Sequence, residues 1–386
     1  MSEDRRSLVL VHVATVPESL YYFLDGQARY MRERGMEVHG IASPGEMLER
    51  FANTNGASVH KVEMKRSISP LSDLRAVLSL YRIFRRIRPD IVHGHTPKGG
   101  LLAMISARVA GVPLRIYQIH GLPHVTATGL KRLILLLCEW ISCQLATQVL
   151  CVSNSIRARA VADHVCSGNH SRVIGMGSIN GIDTVHKFNP DRTCKADARR
   201  ELGVPDHAIV IGFVGRIVRD KGINELLAAW DTLREQFPNI MLLIAGPQEG
   251  KDPVSDLLKA KVACDSRINY LGPVLSPLRC YAAMDVLALP SYREGLGLVT
   301  LEAAAMGLPV VATNVSGCID SVLDGVTGTL VPPKDSGALA EALTRYIQDS
   351  ELRRSHGRLG RHWVSSAFKQ ADIWNSLFIE YGGVTN

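Results

Sequence analysis

The 386-residue chain has eight cysteines but no C-x-x-C pair and no His/Cys ligand spacing. Zinc sites and disulfide frameworks are therefore not expected, and the thiols read as buried. No uninterrupted apolar run approaches the roughly 20 residues that a spanning helix needs. The longest candidate, "GLKRLILLLCEWISCQLATQVLCV", is broken by Lys131, Arg132 and Glu139. The opening, "MSEDRRSLVLVHVATVPES", lacks the basic start, apolar centre and cleavage site of a leader, so a cytosolic location is expected. No G-x-G-x-x-G follows the first strand, which argues against a dinucleotide dehydrogenase. A nonenzymatic nucleic-acid-binding protein would suit pI 9.0, yet there is no recognisable module and no aromatic interleaving among the basic residues. Short repeats and low-complexity segments are also absent.

What the chain does have is 46% hydrophobic and 21% charged residues, the composition of a globular protein too long for one ordinary core. Its charge is uneven. Residues 1–190 carry 23 Lys+Arg against 14 Asp+Glu, leaving 21 against 23 for the rest. Such a basic half suits an anionic partner: a phosphate-bearing substrate, a membrane surface or nucleic acid.

Strand-like and helix-like segments alternate. "SLVLVHVATV" is followed by the helical spacing of "ESLYYFLDGQARYMRERG", then "MEVHGIAS", "DIVHGHT", the helix "GGLLAMISARVAG", "LRIYQIHG", the long apolar helix after Thr128, and "QVLCVS". A second series runs "AIVIGFVG", helix "INELLAAWDTLREQF", "IMLLIAG", "INYLG", "VLALPS", "GLVTLEAAAMG" and "PVVAT". This alternation predicts parallel sheets with helices on both faces. The turn formers near residues 180–195 place a hinge between an N-terminal domain, 1–188, and a C-terminal domain, 189–366. The tail 367–386 reads as a helix packing across both. Ligands of such sheets lie beyond the carboxyl ends of the strands, and His120, Arg216 and Glu294 all follow strands there.

"YREGLGLVTLE" sets Glu294 and Glu302 eight residues apart around a glycine-bearing run. With a helix beginning near Leu298, Glu294 lies in the preceding loop and Glu302 in the early turns. The backbone amides of Gly295, Leu296, Gly297, Leu298 and Val299 then stand at a helix N-terminus, a favoured place for an anion. Two carboxylates beside a diphosphate repel it unless cations compensate, and "GRIVRDKG" offers Arg216 and Lys221. The carboxylates are left to accept hydrogen bonds from vicinal sugar hydroxyls. The bland alternatives are an exposed helix glutamate, solvated loop charges and a packed histidine. His93 and His95 read as structural because no carboxylate or cysteine accompanies them, while Asn180 and Asp183 read as turn-shaping.

Taken together, these residues resemble the retaining nucleotide-sugar glycosyltransferases of family 4. The resemblance runs from "HVATVPESLYYFL" through "IVHGHTPKGGLLAMISARVAGVPLRIYQIHGL", "GSINGIDT" and "GRIVRDKG" to "SYREGLGLVTLEAAAMGLPVVAT". It implies the GT-B fold, α/β with two Rossmann-like doubly wound domains facing across a cleft. By that resemblance Glu294 meets donor-sugar hydroxyls and Glu302 the ribose. Arg216 and Lys221 meet the diphosphate, the amides of 295–299 the diphosphate and sugar, and Val274 lies beside the base. His120 orients the transferring sugar, with a general-base role left open.

The N-terminal half resembles the branch that builds bacterial surface polysaccharide on polyprenyl diphosphate. This implies a nucleotide-sugar donor, favoured as UDP-linked N-acetylhexosamine or hexose, and a polyprenyl-diphosphate-linked acceptor. It also implies an enzyme peripheral to the cytoplasmic face of the inner membrane. Lys98, Gly99 and Gly100 are then candidates for an acceptor phosphate, and the basic segments near residues 81–89 and 130–146 for an anionic bilayer, though core packing explains the second equally well. One departure is that "TVPESLYY" replaces the glycine pair many relatives carry after the first strand, leaving Ser19 and Tyr21 as candidate acceptor contacts. No D-x-D pair occurs, which fits a metal-independent enzyme without cofactor. An epimerase or phosphorylase on the same fold is the alternative.

Overall fold

Strands that are apolar on both faces must be covered on both, and this chain does so twice. The computed structural model describes residues 6–249 and 254–383; residues 1–5, which open the segment read for a leader, lie outside the described residues. One unit comprises the chain to Gly181 together with Gln370 onward, and the other runs from Ile182 to Lys369.

The first unit is built on a seven-stranded sheet: β1 Val9–Val13, β2 Glu37–Ala42, β3 Ser58–Lys61, β4 Ile91–His95, β5 Leu114–Ile119, β6 Gln148–Cys151 and β7 Ser171–Val173. Its order is β3-β2-β1-β4-β5-β6-β7, with every pair parallel. Alternation splits its side chains between two cores. Val11, Val13, Val92 and Tyr117 join one, which Phe84 and Leu102 of the helices Pro70–Ile87 and Pro97–Ala110 complete. Leu10, Ile91 and Ile116 join the other, with Ile373, Leu377, Phe378 and Tyr381. The tail helix Gln370–Glu380 thus contributes to the first unit's core.

The second unit has six parallel strands: β8 Ile209–Val214, β9 Ile240–Ala245, β10 Ile268–Tyr270, β11 Val286–Leu289, β12 Val310–Thr313 and β13 Gly328–Val331. They lie in the order β10-β9-β8-β11-β12-β13. In both sheets strand order reverses beside the first strand, at β1/β4 and at β8/β11. Loops leaving the strands there part to opposite faces and open a crevice.

Three features differ from the sequence reading. The passage between units lies at 181/182 and 369/370, not at 188 and 366, because Ile182 N–H donates to Phe368 O and Ile182 bridges to Lys369. The single helix expected after β1 is two, Pro17–Phe23 and Gln27–Glu33, interrupted by Gly26 at φ 77°. The strands β3, β7 and β13, which lack long apolar runs, were not anticipated. Asn180 and Asp183 do shape the passage. Asn180 Nδ2 donates to Asp25 O at 3.0 Å, and Asp183 Oδ1 accepts from His186 N–H at 2.8 Å.

Candidate active site

At the second unit's switch point the loop after β8 meets the loop after β11. Gly222 caps the helix Ile223–Gln236 in the left-handed region at φ 70°. A Cβ there would stand 2.0 Å from Pro290 O, so only glycine lets the "RDKG" turn seat against "LPSYRE". Tyr292 N–H donates to Asp220 O at 2.8 Å, and Arg293 Nε reaches Asp220 Oδ2 at 3.1 Å. This docking carries Lys221 Nζ onto Glu294 Oε1 as a largely enclosed ion pair. Ser291 Oγ donates to the same oxygen at 2.7 Å. The compensating cation required by the sequence argument is therefore in contact with the carboxylate. Arg216, half-exposed, pairs instead with Glu249 Oε1 at 2.5 Å.

The helix after β11 begins at Leu298 with Gly297 as its left-handed cap, φ 65°, as the sequence reading requires. Gly295 and Leu296 form the approach to it, and the first-turn amides of Leu298 and Val299 head the helix. Glu302, one turn on, is engaged separately: Oε2 accepts from Tyr281 Oη–H at 2.7 Å. Burial pushes its carboxyl above the ordinary range, against the opposing Tyr281 hydrogen bond and Lys187 charge. The two glutamates thus sit in different surroundings and share no partner among the described residues, unlike an acid/base pair. Val274 is half-buried in the loop after β10, where Gly272 O accepts from Gly246 N–H at 2.8 Å. The sequence reading missed Ser291 and Tyr281; a serine in a loop and a tyrosine in an apolar helix carry no distinguishing pattern.

In the first unit, His120 follows β5. Its Nε2 lies 3.2 Å from His95 Nδ1, and Phe23 stacks on its ring with centroids 4.6 Å apart. Burial holds the imidazole neutral, its pKa lowered to about 3. Phe23 carries no distinguishing pattern in the sequence. Ser19 and Tyr21 are half-buried on the helix Pro17–Phe23.

The "PKGG" groups expected at an acceptor phosphate have partners within the chain. Lys98 Nζ is ion-paired with Asp73 at 2.7 Å and donates to Ser67 O. Gly99 N–H donates to Thr15 Oγ1 at 2.8 Å and Gly100 N–H to Thr96 O at 2.8 Å. Both glycines are buried, and a Cβ on Gly100 would stand 2.2 Å from the Tyr117 ring. They serve close packing of a helix on its sheet, and their amides have partners within the chain.

Among the described residues one group has metal-ligand proximity: His12, His93 and His95, whose ligand atoms lie within 4.8 Å of one another. His95, however, has both ring nitrogens in hydrogen bonds, to His12 and His120. Coordination there would have to break them.

The glycosyl transferases group 1 family model matches residues 195–363, and the glycosyltransferase family 4 model residues 23–184. The chain is 34% identical over 368 residues, 95% of each chain, to the capsular polysaccharide biosynthesis glycosyltransferase CapM of Staphylococcus aureus. It is 28% identical to the Escherichia coli UDP-Gal:alpha-D-GlcNAc-diphosphoundecaprenol alpha-1,3-galactosyltransferase, over 82% of this chain and 81% of that one. Solved structures share the architecture. Anabaena HepE in complex with UDP-glucose matches with a TM-score of 0.81 at 19% identity, covering 98% and 100%. Sucrose-phosphate synthase from Thermosynechococcus elongatus matches with a TM-score of 0.81 at 21% identity, covering 98% of each. Two Rossmann-like units, a lysine-compensated glutamate before a glycine-capped helix, and relatives along nearly the whole chain lead to one statement: this protein belongs to the group 1, family 4 glycosyltransferases of GT-B fold.

Proposed function

We propose that the enzyme moves a hexose or N-acetylhexosamine, with retention at the anomeric carbon, from a UDP-sugar to a polyprenyl-diphosphate-linked glycan in surface polysaccharide synthesis. The observation that carries this reading is the Lys221–Glu294–Ser291 cluster at the mouth of the helix Leu298–Ala305. A diphosphate at that helix end meets orphan amides and the positive end of the dipole. Lys221 offsets the adjacent carboxylate, and Arg216 exchanges Glu249 for phosphate oxygens. Glu294 then accepts from sugar hydroxyls and Glu302 from the ribose, with Val274 beside the base. Departure of the nucleoside diphosphate is eased by these fixed charges rather than by a divalent metal. His120 meets the transferring sugar, while Ser19 and Tyr21 face the acceptor. The acceptor class is supported by the diphosphoundecaprenol-linked substrate of the Escherichia coli relative, and the donor class by the UDP-sugar bound to Anabaena HepE.

No helix among the described residues is long and apolar enough to cross a membrane, yet the first unit bears an exposed apolar stripe. On the helix Gly129–Leu145, Leu130, Leu133, Leu137 and Trp140 are 72%, 61%, 55% and 46% exposed. Leu71, Leu74 and Leu78 are exposed on the helix Pro70–Ile87, which continues into exposed Arg82, Arg85 and Arg86. Both helices pack on Pro97–Ala110. Apolar side chains beside a basic cluster suit the anionic cytoplasmic leaflet that holds a polyprenyl acceptor.

The test is incubation of radiolabelled UDP-, GDP- and ADP-sugars with and without a diphosphoundecaprenol-linked monosaccharide, alongside thermal shifts with each donor. Label entering the lipid fraction only with acceptor, and stabilisation by UDP-sugars, are expected. Label converted without acceptor, or only with inorganic phosphate, would replace transfer to lipid by epimerisation or phosphorolysis.

A further inference from the structure

We propose that His95 and His12 are positioning residues that fix His120 with its ring proton on Nδ1, so that the imidazole offers the substrate an N–H donor and not a basic lone pair. This rests on the reading that His120 meets the transferring sugar. His12 on β1, and His93 and His95 on β4, project to the face covered by the tail helix; His12 is the register partner of His93, and Gln118 on β5 that of His95. His12, His95 and His120 form a continuous chain. His12 Nδ1 lies 2.9 Å from His95 Nε2, and His95 Nδ1 lies 3.2 Å from His120 Nε2. His93 stands outside it, its Nδ1 bonded to Tyr381 Oη at 2.7 Å.

A neutral imidazole carries one N–H, so a chain of imidazoles joined nitrogen to nitrogen has only two consistent proton arrangements. Burial keeps His12, His95 and His120 neutral. In one arrangement the protons point toward His12, and its terminal Nε2 carries a hydrogen. In the other they point toward His120, and His12 Nε2 is a bare lone pair. His12 Nε2 is fully buried and has no hydrogen-bond partner among the described residues. Among backbone groups a buried N–H without an acceptor is rarer than an under-used acceptor; applied to the imidazole, the same ordering selects the second arrangement. His12 Nδ1–H donates to His95 Nε2, His95 Nδ1–H donates to His120 Nε2, and His120 is left with Nδ1–H. Phe23 holds the ring plane by stacking at an interplanar angle of 18°. The ring thereby presents a donor of fixed direction to an oxygen of the transferring sugar.

Long-range proton–nitrogen correlation spectra of the full chain with nitrogen-labelled histidine read the tautomer without any turnover. The expected pattern for His120, assigned by its loss in His120→Gln, is a protonated Nδ1 and a pyridine-type Nε2. Protonated Nε2 would overturn the proposal even if sugar transfer is confirmed. In His95→Asn an amide stands where Nδ1 stood and can still donate to His120; in His95→Leu nothing can. Turnover in His95→Leu is expected to fall about 10- to 100-fold with donor KM within about threefold, and His95→Asn to recover most of it. Equal losses in both variants, or full activity in His95→Leu, would dismiss positioning while leaving the transferase reading intact. Should His95→Leu fail to fold, His12→Leu serves: it spares the His95–His120 contact but unpins its direction, and mixed His120 tautomers are expected, a single unchanged one counting against the proposal. A protein with the expected tautomer but no transfer would instead count against the functional reading.

Discussion

Glu294 shows how one side chain carries both charge and position. Its Oε1 is held by Lys221 and Ser291, so Glu294→Gln retains an oxygen for Ser291 but loses the anion that matches Lys221 and binds sugar hydroxyls. Transfer is expected to fall at least about 100-fold, while stability changes by about 1 kcal/mol. Turnover assays with a thermal melt check this, and unchanged turnover in a folded variant would sink the donor-site reading. Glu139 is a different buried carboxylate. It accepts from Tyr117 Oη–H at 2.7 Å, its Oε1 has no hydrogen-bond partner among the described residues, and burial raises its pKa from 4.5 to about 7. Because the folded value exceeds the unfolded one, its contribution to stability is complete below about pH 4.5 and is lost as pH rises through 7. The shift corresponds to about 3 kcal/mol at pH 8. Glu139→Gln is expected to abolish that loss, so that the variant gains on the parent between pH 5 and pH 8 in urea unfolding; parallel pH profiles would refute the account.

At the scale of elements, turns and helix faces carry the function. Gly222→Ala must place a Cβ at φ 70° against Pro290 O, and either the "RDKG" turn or the "LPSYRE" loop has to move. A cost of about 2–4 kcal/mol is expected, with loss of donor-induced thermal stabilisation exceeding the loss of stability itself. Normal stabilisation by donor would mean that the two loops are not coupled. The helix Gly129–Leu145 presents the opposite case, because its outer leucines Leu133 and Leu137 are more than half exposed. The double substitution Leu133→Glu and Leu137→Glu is expected to leave the melting temperature within about 2 °C. Sedimentation with anionic phospholipid vesicles should nonetheless fall several-fold. Undiminished vesicle binding would assign membrane contact elsewhere.

At the scale of the whole molecule, the chain builds one unit, crosses to build a second, and returns to finish the first. Ile373, Leu377, Phe378 and Tyr381 are buried in the first unit's core. Removing everything after Lys369 deletes about 6–12 kcal/mol of apolar burial, comparable to a domain's entire stability. The truncated chain is expected to lose the first unit's cooperative unfolding transition in calorimetry and keep the second's; two intact transitions would contradict this. That return was not legible in the sequence, since apolar spacing shows that a helix has a buried face but not which core receives it. The same limit hid the edge strands β3, β7 and β13, the partner of Glu302 and the histidine chain. The partners of Lys98, Gly99 and Gly100 were hidden as well. By itself the sequence determined the two parallel sheets, the helix start at Leu298 and the family, because alternation, glycine turns and carboxylate spacing are local properties of the chain. Only the tertiary structure decided that Lys221 neutralises Glu294, that the "PKGG" amides are satisfied internally, and that His12, His95 and His120 touch. Those facts depend on which strands become neighbours, and strand order is set by packing over distances that no local pattern encodes.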